Sequence, residues 1–211
     1  MRIALVGGTG SFGTALAVRL HAAGYEVVIG SRDAERAGAA AAEIGGEGGS
    51  VEGSTNEDAV RAADLVILTT KADGAVETAR SLRAAIGTTP VLSVAAELSF
   101  TKEGVLPTGE ATSIAARIQD ELDGPVIAGL HSLAASNLGG EEAPDEDTLV
   151  CGDDPGAKAV VLELAGKITS GSAIDAGPLA SARALEGMTA VIVNVNKRYK
   201  AHAGLRVTGV H

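Results

Sequence analysis

The stretch that most restricts what this chain can fold into is its first, MRIALVGGTGSFGTALAVRL. A short apolar run from Ile3 to Val6 leads into Gly8, Gly10 and Gly13 at GxGxxG spacing, and a segment of helical composition follows. Strand, tight glycine turn and helix in that order open a doubly wound α/β sheet that holds a dinucleotide. On this reading Gly8 permits the turn, Gly10 lets the backbone approach a pyrophosphate, and Gly13 lets the helix pack closely on the strand. Free amides at the helix start then meet negative charge. The alternative is a glycine turn in a sheet that binds no nucleotide.

The rest of the chain repeats the alternation of β-branched runs with Ala-rich segments. That pattern predicts strands near Ile3 to Val6, Glu26 to Ile29, Leu65 to Thr69, Val91 to Val94, Val126 to Leu130, Thr148 to Val150 and Ser172 to Asp175. Helices are expected over SFGTALAVRLHAAG, DAERAGAAAAEI, DGAVETARSLRAAI, TSIAARIQDEL and PGAKAVVLELAGKI, with Gly24, Gly87 and Gly124 at their ends. A last helix spans Leu179 to Lys200, its apolar stripe running through Leu185, Met188, Val191, Ile192 and Val195. That stripe must be covered by the sheet or by a second subunit, so a homodimer is expected. The fold class is therefore α/β: a Rossmann-like, doubly wound, mainly parallel sheet with a small C-terminal helical segment. One domain over 1–211 is expected, with 1–150 as its nucleotide-binding core and 151–211 completing the site.

Charge narrows the partners. A formal net charge of −10 disfavours a nucleic-acid binder, because phosphate backbones are held by basic surfaces. The apolar run MTAVIVNV is too short to cross a bilayer, and no signal peptide is recognisable, so a cytoplasmic protein without a membrane partner is expected. The single cysteine, Cys151, has no CxxC or Cys/His spacing for zinc, and no metal site is expected. Two loops read as plain surface: GGEGGSVEG at 45–53 as a mobile connection, and the acidic GGEEAPDEDT as a solvated loop.

The end of the second strand chooses the nucleotide. An NAD site places Asp or Glu there for the ribose 2′-hydroxyl, whereas YEVVIGSRDAER offers Ser31 and Arg32, with Arg36 one turn on. A 2′-phosphate suits those groups better, so NADP is expected. The competing explanation is that Asp33 caps the next helix and the arginines are merely solvated.

Catalytic groups are conspicuously missing. Neither tyrosine begins a YxxxK pair, since Ile29 follows Tyr25 and Ala203 follows Tyr199 at that distance. Too little chain follows Gly177 for the helical domain of two-domain hydroxyacid or imine reductases, and there is no GxSxG or HExxH. Hydride transfer between two bound redox molecules needs little beyond holding two rings face to face, and it remains. A second such molecule would also explain the basic run NKRYKAHAGLR, with Lys197, Arg198, Lys200, His202 and Arg206, which could hold an anionic tail; helix-end cations are the plain alternative. His131 closes the strand PVIAGLHS at the carboxyl edge of the sheet, where such folds bind ligands.

Taken together, GGTGSFG, VVIGSR, GLHS, LVCGDD, IDAGPL and NVNKRYKAHAGLRVTG resemble the coenzyme F420-dependent NADP reductases, almost end to end. That resemblance implies an enzyme exchanging hydride reversibly between NADP(H) and the deazaflavin coenzyme F420, with no catalytic proton donor. Thr9, Ser31, Arg32 and Arg36 would hold NADP, and Gly8, Gly10, Ser11, Phe12, Gly13, Thr69 and Thr70 would be further cofactor-binding residues. His131 would lie near the deazaflavin, and Ala203, Gly204, Leu205 and Val207 would help close its pocket. The chain departs from the family's usual pattern at VLSVAAELSF, at TTKADGA and at SLAAS after His131, where relatives carry prolines or an aromatic. These departures fall on the second cofactor's side. An NADPH-dependent reductase of a flavin, pterin or small imine, and a non-catalytic NADP sensor, are the alternatives.

Overall fold

The computed structural model describes residues 1–45 and 51–210. Its first half alternates β1 (Arg2–Val6), α1 (Ser11–Ala22), β2 (Glu26–Ser31), α2 (Ala34–Gly45), β3 (Val51–Thr55), α3 (Asn56–Arg61), β4 (Leu65–Leu68), α4 (Ala72–Ile86) and β5 (Val91–Ser93). The hairpin β6 (Leu98–Phe100) and β7 (Val105–Pro107) precedes α5 (Ile114–Gln119), β8 (Val126–Gly129) and α6 (Ala135–Leu138). Then come β9 (Thr148–Gly152), α7 (Pro155–Ile168), β10 (Ala173–Asp175), a 3₁₀ turn at Leu179–Ser181 and α8 (Ala182–Tyr199).

Eight strands form one sheet in the order β10-β9-β8-β5-β4-β1-β2-β3, while β6 and β7 pair apart from it. Every pairing from β3 to β8 is parallel, β8 and β9 run antiparallel, and β9 and β10 are again parallel to each other. The expected mainly parallel, doubly wound sheet is thus present. Alternation along β1 explains why both faces are covered. Ile3 and Leu5 pack with Leu16, Leu20 and Leu164 of α1 and α7, whereas Ala4 and Val6 join Val60, Leu82, Ile118 and Leu185 on the other face. A strand buried on both sides needs apolar residues at consecutive positions, which is how β1, β4 and β8 read.

Helix ends follow local chemistry. Thr55, Ser113 and Asp154 each accept a hydrogen bond from the amide three residues on, capping α3, α5 and α7. Helix α8 ends at Lys200, whose φ of 51° closes it in the left-handed region. The long C-terminal helix keeps only Ala182, Leu185, Glu186 and Ala190 fully buried; Val191 is 59% exposed. Among the described residues no helix is long and apolar enough to cross a membrane.

Two expectations about loops need correcting. Residues 46–50 of the supposed mobile connection lie outside the described residues, but Val51 to Gly53 belong to β3 and pair with Val27 to Ile29 of β2. Gly53 is there for packing: a Cβ would stand 2.3 Å from the backbone of Ala37 in α2. The acidic loop is only partly solvated, because Glu146 and Asp147 are both 2% exposed. Arg19 of α1 holds this loop by donating to the carbonyls of Leu138, Gly140, Glu141 and Glu142. Asp147 accepts from the amides of Ser172 and Val207 at 2.7 and 2.8 Å. A buried carboxylate is tolerated because backbone amides and Arg206 replace its water.

Candidate active site

The glycine loop is shaped differently from the simplest reading of its spacing. Gly7, with φ +73°, makes the left-handed turn rather than Gly8, and a Cβ on Gly7 would meet the Thr70 methyl at 2.7 Å. Gly8 is instead a packing glycine, its amide donating to the carbonyls of Leu5 and Gly30. Gly13 presses onto it, since a Cβ at Gly13 would lie 2.7 Å from Gly8 Cα. A Cβ at Gly10 would find its nearest atom 3.8 Å away, so the backbone is open to a ligand. Gly10 is also the N-cap of α1 and supplies no side-chain cap, leaving the first amides of the helix for an anion. Asn56 Oδ1 accepts from the Gly7 amide at 3.1 Å and fastens this loop to the start of α3.

At the end of β2, Ser31 is buried and its Oγ accepts from the Asp33 amide at 3.2 Å. Asp33 Oδ1 caps α2 by accepting from the amides of Glu35 and Arg36. With Asp33 so engaged, no acid pairs with Arg32 or Arg36 among the described residues, and both guanidinium groups are exposed. Thr9, Gly10, Ser31, Arg32, Arg36, Asn56, Thr69 and Thr70 line one groove of about 800 Å³. Charge-assisted bonds to an unpaired guanidinium are the strongest a phosphate can find on such a surface.

A second chamber of about 240 Å³ adjoins it. Its walls are mostly apolar, from Phe12, Val94, Ala95, Leu98, Leu130 and Leu133, with Thr189 and His131 as polar groups. Thr69, Thr70 and Lys71 line both spaces and form the threshold between them. Thr69 is fixed there by its amide and hydroxyl, which both donate to the Val6 carbonyl. Thr70 Oγ1 is buried without a hydrogen-bond partner among the described residues.

His131 is 6% exposed, and its Nε2 lies 3.2 Å from the Ala95 carbonyl. A carbonyl only accepts, so Nε2 carries the hydrogen and Nδ1 is a bare acceptor, buried with no partner among the described residues. Burial pushes the His131 pKa down to about 4, so the ring is neutral at pH 7. The residue before it, Leu130, holds φ 65°, a conformation costly for a residue with a Cβ and one that concentrates at functional sites. Thr189 of α8 donates to the His131 carbonyl at 2.9 Å and locks this corner.

The remaining expected site residues lie elsewhere. Ser11 is exposed at the start of α1 and lines neither space. Ala203, Gly204, Leu205 and Val207 also line neither, because the tail is pinned to the acidic loop. The Ala203 amide donates to Asn196 Oδ1 at 2.6 Å, the Leu205 carbonyl accepts from the Asp147 amide at 2.7 Å, and Gly204 abuts Glu146. The basic run is divided in use. Arg206 pairs with Asp145 and Asp147, Lys197 sits 5.2 Å over the Phe100 ring, and His202 Nδ1 lies 3.0 Å from Ser136 Oγ.

The model for the family described as "NADP oxidoreductase coenzyme F420-dependent" matches residues 2–97. Over the whole chain, 37% of residues are identical to the F420-dependent NADP reductase of Methanothermobacter thermautotrophicus, of which 96% is covered. This chain belongs to the F420-dependent NADP reductase family. Another member, from Methanocaldococcus jannaschii, is 33% identical over all of this chain and 99% of its own length. A solved structure from Arthrobacter sp. FB24, provisionally named an F420-dependent NADP-reductase, superposes with a TM-score of 0.85 over 99% of this chain and 100% of its own, at 22% identity. That likeness shows the fold.

Against this family background, the structure adds three residues that the sequence did not single out. Asn56 follows Thr55 in STNED, a helix start whose cap is legible in the spacing of Thr55 and Asp58. Lys71 and Thr189 carry no local signal, because only the fold brings β4's end and the middle of α8 to the same chamber.

Proposed function

We propose that this family member catalyses reversible hydride transfer between NADP(H) and coenzyme F420. The observation that carries the reading is the pair of adjoining spaces sharing Thr69, Thr70 and Lys71. One, of about 800 Å³ and lined by polar groups, suits a dinucleotide, and the other, smaller and mostly apolar, suits a planar ring. Thr9 and Gly10 would receive the pyrophosphate, and Ser31, Arg32 and Arg36 the 2′-phosphate. The nicotinamide would then reach the threshold, and His131 would face the deazaflavin. Open backbone at Gly10, together with Arg32, Arg36, His131 Nδ1 and Thr70 Oγ1, which have no partner among the described residues, are the groups such ligands would satisfy.

The residues' part is to bind, orient and exclude water. Hydride moves as a C–H electron pair from one ring carbon to another, which asks for two rings in contact and a dry chamber. The apolar walls meet that need, and neutral His131 introduces no competing acid at pH 7. Within this reading, 1–150 is the nucleotide-binding part and 151–211 completes the second pocket, supported by Thr189 at the chamber wall. A homodimer belongs to the same reading, supported by the exposed Val191 on α8.

Mixing the protein anaerobically with NADPH and oxidised F420 tests the proposal. Loss of the deazaflavin's visible absorbance is expected. No change at saturating NADPH would instead favour a flavin, pterin or imine acceptor, or a nucleotide sensor without chemistry.

A further inference from the structure

We propose that Lys71 is the electrostatic partner of the hydride acceptor, favouring its reduced form in the second chamber. This inference rests on the reading just given and concerns a residue outside the expected site. Lys71 stands immediately before α4 and lines both the nucleotide groove and the smaller chamber. Among the residues lining the smaller chamber it is the sole Lys, Arg, Asp or Glu. Its ammonium has no hydrogen-bond or ion-pair partner among the described residues. Asp73, the acid nearest in sequence, lines the groove but not the chamber.

The other anionic groups expected in the groove already have receivers. The pyrophosphate has the uncapped amides of α1, and the 2′-phosphate has Arg32 and Arg36. What lacks a counter-charge is the negative charge created by the reaction itself. The C4–H bond of the dihydronicotinamide breaks, both electrons form a new C–H bond on the deazaflavin ring, and NADP becomes oxidised. The deazaflavin is reduced and gains one negative charge, spread over its pyrimidine ring until water supplies a proton. A cation lining an apolar chamber acts on that charge through a poorer screening medium than water. Its help is differential: it strengthens binding of the more negative, product-like ring over the oxidised ring, and only such differential binding accelerates a chemical step.

The test compares wild type with Lys71→Gln and Lys71→Arg. Fluorescence titration gives the affinity for oxidised F420, competition gives that for reduced F420, and calorimetry gives that for NADP. Lys71→Gln should weaken reduced F420 at least fivefold more than oxidised F420, slow single-turnover reduction by NADPH about tenfold or more, and change NADP affinity less than threefold. Lys71→Arg should recover most of both effects. Lys71 is exposed and its side chain makes no hydrogen bond or ion pair among the described residues, so melting curves should superpose for all three proteins.

Equal loss for the oxidised and reduced rings would overturn the inference, as would a transfer rate within twofold of wild type. An NADP affinity falling in step with the rate would overturn it too, by making Lys71 a phosphate clamp. If wild type binds NADP but neither binds nor bleaches F420, the proposed function fails first and the assignment of Lys71 falls with it; a defect confined to Lys71→Gln leaves that function standing.

Discussion

The nucleotide groove and the second chamber share a threshold yet are built in opposite ways. The groove draws its key groups from two short local stretches, the loop from Gly7 to Gly13 and the β2 end from Ser31 to Arg36, and its chemistry is charged. The chamber gathers Phe12, Thr69 to Ala72, Val94 to Ala96, Leu98, Leu130, His131, Leu133 and Thr189 from five separate parts of the chain, and it is mostly apolar. A phosphate needs amides and guanidinium groups, which a single turn can supply. A planar ring needs walls, which only tertiary packing can supply.

Disrupting the groove's backbone should have the largest effect. Gly13→Val drives a side chain into Gly8 at 2.7 Å, where backbone cannot yield cheaply, and should cost about 3 kcal/mol or more of stability. NADP binding should be lost with it. Thermal melts and calorimetry check both, and retained binding would show that the Gly8–Gly13 contact does not shape the groove.

The chamber should reveal itself through pH. His131 has a folded pKa near 4, below its unfolded value near 6.5, so the unfolded chain binds more protons between those limits. The stability contributed by keeping His131 neutral is fully present above about pH 6.5 and is lost as pH falls toward 4, roughly 3 kcal/mol in all. Denaturant titrations at pH 7 and pH 4.5 should show a steeper loss for wild type than for His131→Gln. Parallel losses would mean that His131 titrates normally and that the chamber is wet.

Arg32→Ala sharpens the contrast from the groove's side. It should weaken NADP by about 1.5–3 kcal/mol and NAD far less, because a charge-assisted bond to phosphate is removed. Equal losses for the two nucleotides would show that Arg32 does not read the 2′-phosphate. The smallest effect is expected in the tail. Arg206 is half exposed in its pairs with Asp145 and Asp147, so Arg206→Ala should cost at most about 1 kcal/mol and leave NADP affinity unchanged. A large loss of nucleotide binding would place the tail in the groove after all.

What could be read in the sequence follows the same division. The β1-turn-α1 unit was legible because glycine spacing, strand and helix are contiguous, although the spacing alone put the turn on Gly8 and not on Gly7. The charges after β2 were legible because Arg32 and Arg36 are one helical turn apart. The hairpin of β6 and β7 was not, since its strands are three residues each and are steadied by Asn194 of α8, which bonds both the amide and the carbonyl of Val105. The acidic loop misled for a related reason. Composition marks it as solvated, but Asn137, Arg206 and the amides of Ser172 and Val207 supply the donors that let Glu146 and Asp147 be buried. The tail from Ala203 to Val207, expected at the second pocket, is held by that same loop.

In the proposed function the nicotinamide and the deazaflavin meet directly across the threshold of Thr69, Thr70 and Lys71. Single-turnover reduction of F420 by NADPH deuterated at the transferring C4 position, followed by mass spectrometry of the product, tests it most directly. Complete retention of deuterium on the reduced deazaflavin in ordinary water is the predicted result; hydrogen from solvent at that carbon would contradict direct transfer between two apposed rings.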